Sequence, residues 1–249
     1  MVTTLWARAL VSKGVKVGIR TIDDTAGQVA ALKAGQVDIV QAYNSGLLNY
    51  LDDNANAVRQ SDVDAAIAAK LPAGLTVLQS TPARDDVQLV VSAATAAKYK
   101  LHSITDLAGH LSELTLLLTD DKSAKAFTNG LSNYYGLTFP TTKTTDFAGP
   151  KMIAAIKAGP SVGLMVASQY QIDDNRFVVL TDPQHLFLTE NFIPLIGGKK
   201  ITPAMRATLN AVSAKLTVAA LRGLRKKVAN GEGTFTEVAD AWLASVGLR

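Results

Sequence analysis

Apolar and polar residues follow one another along this chain with two different periodicities. Short runs or alternations of apolar residues predict strands, and longer segments with apolar residues three and four positions apart predict helices. The predicted strands are residues 15–20, 37–40, 75–79, 87–91, 114–118, 162–166, 177–180 and 191–196. The predicted helices are residues 3–12, 25–33, 47–51, 61–70 (with Ser61 as its N-cap), a short helix from Thr105, 122–134, 150–158, 203–216, 218–229 and 235–245. Strands that alternate with helices of about ten residues indicate an α/β fold with mostly parallel sheets.

One arrangement of helix, strand and loop occurs twice. Residues 31–35 (Ala-Leu-Lys-Ala-Gly) precede the strand 37–40 and a polar loop, and residues 155–159 (Ala-Ile-Lys-Ala-Gly) precede the strand 162–166 and another polar loop. Each loop carries a tyrosine near the carboxyl end of its strand, which is where open α/β sheets bind ligands. The repetition predicts two sheets of similar build that each offer one loop to a shared cleft. Chance is the alternative, because Ala-Lys-Ala-Gly helix ends are common.

The two loops supply candidate binding residues, since each combines an aromatic ring with hydrogen-bonding side chains. These residues are Tyr43, Asn44 and Ser45 on the first loop, and Ser168, Gln169 and Tyr170 on the second. The helix that follows the first loop also has an N-terminus that can receive an anionic group. Ordinary turns are the alternative interpretation of both loops. A third group, Lys122, Ser123 and Lys125, either holds a carboxylate or forms a solvated first helical turn.

Nothing in the sequence assembles a catalytic or metal centre. The chain has no cysteine, and its three histidines lack a second ligand at metal-binding spacing. It contains no nucleophile elbow, phosphate loop or dinucleotide fingerprint. Adjacent aspartates, such as Asp120-Asp121 and Asp173-Asp174, have diverging side chains that suit turns and caps better than acid–base pairs. The sequence therefore predicts a protein that is not an enzyme and holds neither a metal nor a cofactor.

Length and charge narrow the class of protein further. The 249 residues suffice for two lobes of roughly 100–150 residues each. The net charge is +4, and Lys and Arg are spread along the whole chain. One dense basic cluster has helical spacing and predicts a solvated helix face rather than a nucleic-acid-binding surface. Its members are Arg222, Arg225, Lys226 and Lys227.

Several longer segments resemble one known family. Residues 35–43 (Gly-Gln-Val-Asp-Ile-Val-Gln-Ala-Tyr) and 47–51 (Leu-Leu-Asn-Tyr-Leu) are similar to a segment of the osmoprotectant-binding proteins of ABC importers, which are receptors for glycine betaine, choline, carnitine and proline betaine. Residues 97–107 are similar to the Lys-Tyr-x-Leu-Lys-Thr-Ile-Ser-Asp-Leu stretch of that family. Further segments in the family's order and spacing are 155–159, 178–183 and 191–195. The resemblance covers nearly the whole chain.

The resemblance implies a two-lobed fold of the periplasmic-binding-protein type (type II), with two hinge crossings. Residues 1–82 and 190–249 would form lobe one, in which the family's first strand is not found, and residues 83–189 would form lobe two. It also implies a monomer that binds a small-molecule ligand, works with a membrane permease and an ATPase, and binds no nucleic acid. Its location would be extracytoplasmic, either periplasmic or lipid-anchored at the cell surface, with the signal and the anchor outside this chain.

The crossings add charged candidates to the ligand-binding set. In this fold the first crossing would fall near residues 81–86 and the second near residues 181–190. Arg84, Asp85 and Asp86 at the first crossing complete the predicted set.

The residues that would hold the ligand depart from the family pattern. In the family, several tyrosines enclose a quaternary ammonium by cation–π contacts. Only Tyr43 matches these tyrosines, and aliphatic residues stand at the other positions, namely Val87, Ile153 and Val166. Ala124 replaces an arginine that often grips the ligand carboxylate. We therefore expect a more apolar ligand preference and weak binding of glycine betaine. The alternatives are a receptor for a larger hydroxylated or aromatic solute and a ligand-sensing regulatory domain on the same fold.

Overall fold

Apolar side chains gather in two structural units, and each unit has its own sheet and helices. The computed structural model describes residues 1–119, 123–198 and 200–249. The first unit contains Met1–Asp85 and Thr189–Arg249, and the second unit contains Asp86–Leu188. The chain therefore passes between the units twice.

Helices and strands alternate along most of the described chain. The strands are β1 (Ile39–Tyr43), β2 (Leu75–Val77), β3 (Val87–Val91), β4 (Thr115–Leu118), β5 (Thr142–Thr144), β6 (Ser161–Val166), β7 (Val178–Val179) and β8 (Phe192–Gly197). The helices are α1 (Val2–Ser12), α2 (Thr25–Lys33), α3 (Asn44–Leu51), α4 (Gln60–Lys70), α5 (Ala93–Tyr99), α6 (Ser123–Tyr135), α7 (Pro150–Ala158), α8 (Gln171–Asp174), α9 (Pro203–Lys215), α10 (Val218–Ala229) and α11 (Phe235–Ser245), with a 3-10 helix at Ile104–His110. Side-chain caps fix several of the starts. Asp24 accepts a hydrogen bond from the Gly27 amide at α2, and Thr234 forms a capping box with Glu237 at α11.

The first unit is built on a sheet with the strand order β1-β8-β2, in which β8 is antiparallel to both neighbours. Successive side chains of a strand point to opposite faces of the sheet. Accordingly, Phe192 packs in an apolar cluster with α1 and α9–α11, whereas Ile193 and Leu195 pack in a cluster with α2–α4. All three side chains are buried. Helices thus cover both faces of β8.

The second unit has a larger sheet with the order β5-β4-β6-β3-β7. Strand β4 is parallel to β5 and β6, and β3 is antiparallel to β6 and β7. A glycine in β6 lets α7 pack closely on the sheet, because a Cβ at Gly163 would lie 2.5 Å from Ile156 Cδ1 and 3.0 Å from Met152 Sδ. The register pairs Val87 with Val166, so the start of β3 lies beside the end of β6.

Both sheets are mixed, and the predicted mostly parallel arrangement is wrong in this respect. The antiparallel pairings involve β8 in the first sheet and β3 in the second. Each of these strands is the first to follow a crossing between the units. In both sheets of this chain the strand that follows a crossing is antiparallel to its neighbours, and the alternation of helices and strands does not reveal this.

Residues 15–20 have no regular structure, although their alternation predicts a strand. Val17 and Ile19 are 37 % and 61 % exposed, and the segment pairs with no strand among the described residues. Alternation indicates which side chains a strand would bury, but a strand forms only where a partner accepts and donates its backbone hydrogen bonds.

Other local differences have equally simple causes. Helix α4 begins at Gln60, and Ser61 does not cap it, because the Ser61 hydroxyl donates to Asp62 Oδ1 at 3.3 Å. The sequence pattern does not predict the short elements α5, β5 and α8. Strand β5 consists of three exposed polar residues and so has no apolar signal. None of the helices in the described ranges has the length and apolar character needed to cross a bilayer.

Candidate functional site

Tyr43 is the last residue of β1 and is partly exposed, at 37 %. Its hydroxyl donates a hydrogen bond of 3.1 Å to Asp85 Oδ2, and its ring centroid lies 5.1 Å from that of Phe192 with the planes tilted by 43°. Burial raises the pKa of the Tyr43 phenol above its ordinary value, and the negative charge of Asp85 adds to the shift. The side chain is therefore a neutral aromatic surface whose hydroxyl is already bonded.

Asp85 connects Tyr43 to the C-terminal helices. Arg225 on α10 approaches the Asp85 carboxylate with both terminal nitrogens, Nη1 to Oδ1 and Nη2 to Oδ2, each at 3.5 Å. The Asp85 main-chain amide donates to the carbonyl oxygen of Glu190 at 2.9 Å. The sequence does not reveal this contact, since the helical spacing of Arg225 and Lys227 predicts a solvated helix face for both. That assignment describes the exposed Lys227 but is wrong for the half-buried Arg225.

Asn44 and Ser45 are fully or almost fully buried, at 0 % and 2 % exposure. Asn44 Oδ1 accepts hydrogen bonds from the amides of Ser45 and Asn191, both at 2.9 Å, and its Nδ2 donates to Asp64 Oδ1 at 3.2 Å. The Ser45 hydroxyl donates to the carbonyl oxygen of Thr189 at 2.6 Å. Both predicted ligand residues thus use their hydrogen-bonding groups inside the first unit, where they fasten the start of α3 to the start of β8.

The N-terminus of α3, which the sequence suggested as an anion site, is occupied by groups of the chain itself. The Asn44 amide donates to the carbonyl oxygen of Asn191 at 3.0 Å, and the Gly46 amide donates to Glu190 Oε2 at 3.3 Å. A carboxylate at a helix N-terminus interacts favourably with the helix dipole. Glu190 therefore fills the position that was expected to receive the anionic group of a ligand.

In the second unit, the matching candidates lie where β3 begins and β6 ends. Asp86 is buried, and its carbonyl oxygen accepts from the Ala167 amide at 2.9 Å, next to the pair of Val87 and Val166. Ser168 follows directly and is also buried. Val87 and Val166, which stand at positions of family tyrosines, are thus close in the chain to the predicted polar candidates Asp86 and Ser168.

Gln169 is fastened to its own surroundings. Its Oε1 accepts from the Val166 amide at 2.8 Å, and its Nε2 donates to the Ala148 carbonyl oxygen at 2.7 Å. Ala148 has a left-handed backbone with φ of 51°, which disfavours residues with a Cβ, and the Gln169 amide holds that turn just before α7. Tyr170 immediately precedes α8 and is half-buried.

The remaining candidates are scattered. Arg84 pairs with Asn191 in the first unit through an isolated antiparallel bridge. Ser123 and Lys125 lie in the first turn of α6 and are exposed. Lys122, like Asp120 and Asp121, lies outside the described residues. Within the described ranges, no group of three or more His, Asp or Glu residues is arranged to hold a metal ion.

Two α/β units between which the chain passes twice have the architecture that the resemblance implies, namely the fold of the periplasmic-binding-protein class. Residues 1–245 match the model of a family described as the substrate-binding domain of ABC-type glycine betaine transport systems, and the chain belongs to this family. The resemblance to osmoprotectant-binding proteins is thereby confirmed.

Solved structures agree in fold. A glycine betaine/carnitine/choline ABC transporter protein shares 18 % identity with a TM-score of 0.88, over 99 % of this chain and 94 % of that one. Apo YehZ from Escherichia coli shares 20 % identity with a TM-score of 0.80, over 100 % and 94 %. Lactococcal OpuAC complexed with glycine betaine shares 16 % identity with a TM-score of 0.61, over 98 % and 89 %. A comparison with curated protein sequences found no match.

Proposed function

We propose that this chain is the solute-binding component of an ABC importer of the osmoprotectant type. The family match over residues 1–245 carries the proposal. The protein would be extracytoplasmic and monomeric, would deliver its solute to a membrane permease with an associated ATPase, and would carry out no chemistry on the solute. Recovery of the bound solute unchanged by mass spectrometry tests the last point, and a product of altered mass contradicts it.

In the proposed binding surface of the first unit, Tyr43 contacts the solute with its ring. Asp85 accepts the hydrogen bond of the Tyr43 hydroxyl, and Arg84 precedes Asp85 at the end of the segment that leads into the second unit. Asn44 and Ser45 hold this surface in place and do not contact the solute, since both side chains are buried and hydrogen-bonded within the first unit. In the second unit, the proposed contact is Tyr170, while Asp86, Ser168 and Gln169 support it, since Asp86 and Ser168 are buried and both polar groups of the Gln169 amide are bonded within the unit.

The solute we propose is larger than glycine betaine, partly apolar and hydroxylated, and it carries no carboxylate. Each cation–π contact to a quaternary ammonium contributes about 0.5–2 kcal/mol, and Val87, Ile153 and Val166 cannot supply any. The position of Glu190 adds a second reason, because a solute carboxylate near the start of α3 would meet a carboxylate already bonded to the Gly46 amide. Glycine betaine therefore binds weakly or not at all.

A thermal-shift screen of betaines, cholines, amino acids, polyols and aromatics identifies the solute, because ligand at 100 times its Kd stabilises the native state by about 2.7 kcal/mol. Titration calorimetry then compares wild type with Tyr43→Ala. Loss of the ring should weaken binding by roughly ten-fold or more, which corresponds to about 1.4 kcal/mol. Tyr50→Ala is the matched control, because Tyr50 is an exposed tyrosine on α3 of the same unit.

Three outcomes oppose parts of this proposal. Tight binding of glycine betaine by the wild type removes the claim about the solute. Equal affinities of Tyr43→Ala and wild type remove Tyr43 from the binding surface. Failure of every solute in the screen to stabilise the protein argues against the solute-binding function itself.

A further inference from the structure

We propose that Arg225 is a positioning residue for solute binding, which holds the Tyr43 ring in place through Asp85. This inference rests on the proposed function, in which Tyr43 contacts the solute. Arg225 lies on α10, 140 residues along the chain from Asp85. It touches the carboxylate that accepts the Tyr43 hydrogen bond.

The contacts on either side leave Asp85 as the link that fixes the tyrosine. Phe192 packs against the Tyr43 ring and limits its tilt, but the phenol end is held by the hydrogen bond to Asp85 Oδ2. The Asp85 main-chain amide donates a hydrogen bond to the Glu190 carbonyl oxygen, which holds the backbone in place. The Asp85 carboxylate can then move only by rotation of the side chain. Arg225 restricts that rotation, because each of its two terminal nitrogens faces a different carboxylate oxygen.

The helix that carries Arg225 is held in place by apolar packing. Leu221 and Leu224 on α10 are buried in the apolar cluster that also contains Phe192. The same packed cluster therefore supports the arginine and the aromatic partner of Tyr43. A planar guanidinium fits a carboxylate with two parallel contacts, whereas a lysine ammonium is a single point charge. A lysine at this position would therefore keep the positive charge but could not face both carboxylate oxygens in the same way.

The chain offers a closely matched ion pair as a control. Arg8 on α1 contacts Asp240 on α11 at 2.7–2.8 Å, with side-chain exposures of 30 % and 17 %. Arg225 and Asp85 have exposures of 32 % and 15 %. Both pairs lie in the first unit, and the arginine of each is on a helix that packs in the same apolar cluster, but only the second pair touches Tyr43. Any general effect on stability should therefore appear in both.

The test uses the full chain and compares wild type, Arg225→Gln, Arg225→Lys, Arg8→Gln and Tyr43→Phe. Its probe is choline, which shares with the proposed solute a hydroxyl group and the absence of a carboxylate. Titration calorimetry should show choline binding weakened by roughly three- to ten-fold in Arg225→Gln and unchanged in Arg8→Gln. Arg225→Lys should recover part of the loss. In the Tyr43→Phe background the Arg225→Gln change should have no further effect, since no phenol is left for Asp85 to hold.

An ultraviolet titration of the tyrosines keeps the inference testable even if choline does not bind. The difference between wild type and Tyr43→Phe isolates the Tyr43 phenol. Arg225 lowers the pKa of Tyr43 against the stronger raising effects of burial and Asp85, so Arg225→Gln should move the Tyr43 titration to higher pH and Arg8→Gln should not. An unchanged Tyr43 titration, equal losses of affinity in Arg225→Gln and Arg8→Gln, or additive effects of Arg225→Gln and Tyr43→Phe would each overturn the inference. Absence of binding by all solutes, with a shifted Tyr43 titration, would instead reject the proposed function and leave the contact chain standing.

Discussion

Replacing Asn44 by alanine removes an amide group on which three parts of the first unit converge. Its oxygen accepts from the Ser45 and Asn191 amides at 2.9 Å, and its nitrogen donates to Asp64 at 3.2 Å. The side chain is fully buried, at 0 % exposure. The substitution therefore leaves two backbone donors without an acceptor in a place that bulk water does not reach.

The cost follows from those two donors. A buried donor that loses its partner costs about 1–3 kcal/mol. Partial entry of water into the vacated space, and removal of the polar amide itself, reduce the sum. We expect Asn44→Ala to lower the free energy of unfolding by about 2–4 kcal/mol. For a chain of this size that corresponds to a fall in Tm of roughly 5–15 °C.

Urea denaturation followed by circular dichroism measures this loss. Asn49→Ala is the matched control, because Asn49 lies on the same helix and is exposed, so its replacement should change stability by less than about 0.5 kcal/mol. If the two variants unfold at the same urea concentration, Asn44 does not fasten α3 to β8 as described. If Asn44→Ala keeps its stability but loses affinity for the solute, Asn44 is a ligand contact, as the sequence first suggested.

Two further outcomes are expected from packing and ionisation. Gly163→Ala should destabilise the second unit by about 1–3 kcal/mol, because the new methyl would lie 2.5 Å from Ile156 Cδ1. Gly18→Ala is the control for the same urea experiment and should be nearly neutral, since a methyl there would have no atom within 4 Å. The pKa of Tyr43 is higher in the folded protein than in the unfolded chain, where it is about 10. This group therefore contributes its full stabilisation below about pH 10 and loses it as the pH rises towards its folded pKa, so stability should fall at alkaline pH less steeply in Tyr43→Phe than in wild type.

The sequence predicts helices well where periodicity and end signals agree. Helices α2, α7, α10 and α11 have the predicted bounds, and so does strand β3. In α7 a proline opens the helix and a glycine follows it, and in α10 and α11 a threonine caps the first turn. These signals act over a few residues, and the chain carries them whatever the tertiary structure. The α/β class follows from them, since helices of this length alternate with buried strands.

Strand direction and pairing are decided by distant parts of the chain. Strand β8 lies between β1 and β2, which precede it by more than a hundred residues in the sequence. No local pattern in Phe192–Gly197 states which way it will run relative to them. The segment 15–20 shows the converse, because its alternation is as regular as that of a strand, but Val17 and Ile19 are exposed and the segment pairs with no strand in the described part of the chain.

The candidate site shows the same division between local and distant information. A tyrosine at the end of β1 is recognisable from its position after a buried strand, and the structure leaves its ring partly exposed. Whether the next polar residues face a solute depends on hydrogen-bond partners elsewhere in the chain. Asn44 is bonded to Asn191, 147 residues away, and Ser45 is bonded to Thr189, 144 residues away. Arg225 changes in the opposite direction, from an expected solvated charge to a contact of the carboxylate that holds Tyr43. A polar residue next to a strand end is therefore evidence for a site only when its hydrogen-bonding groups are not already used within the protein. In this chain those of Asn44 are used, whereas Arg225 contacts the carboxylate that holds Tyr43.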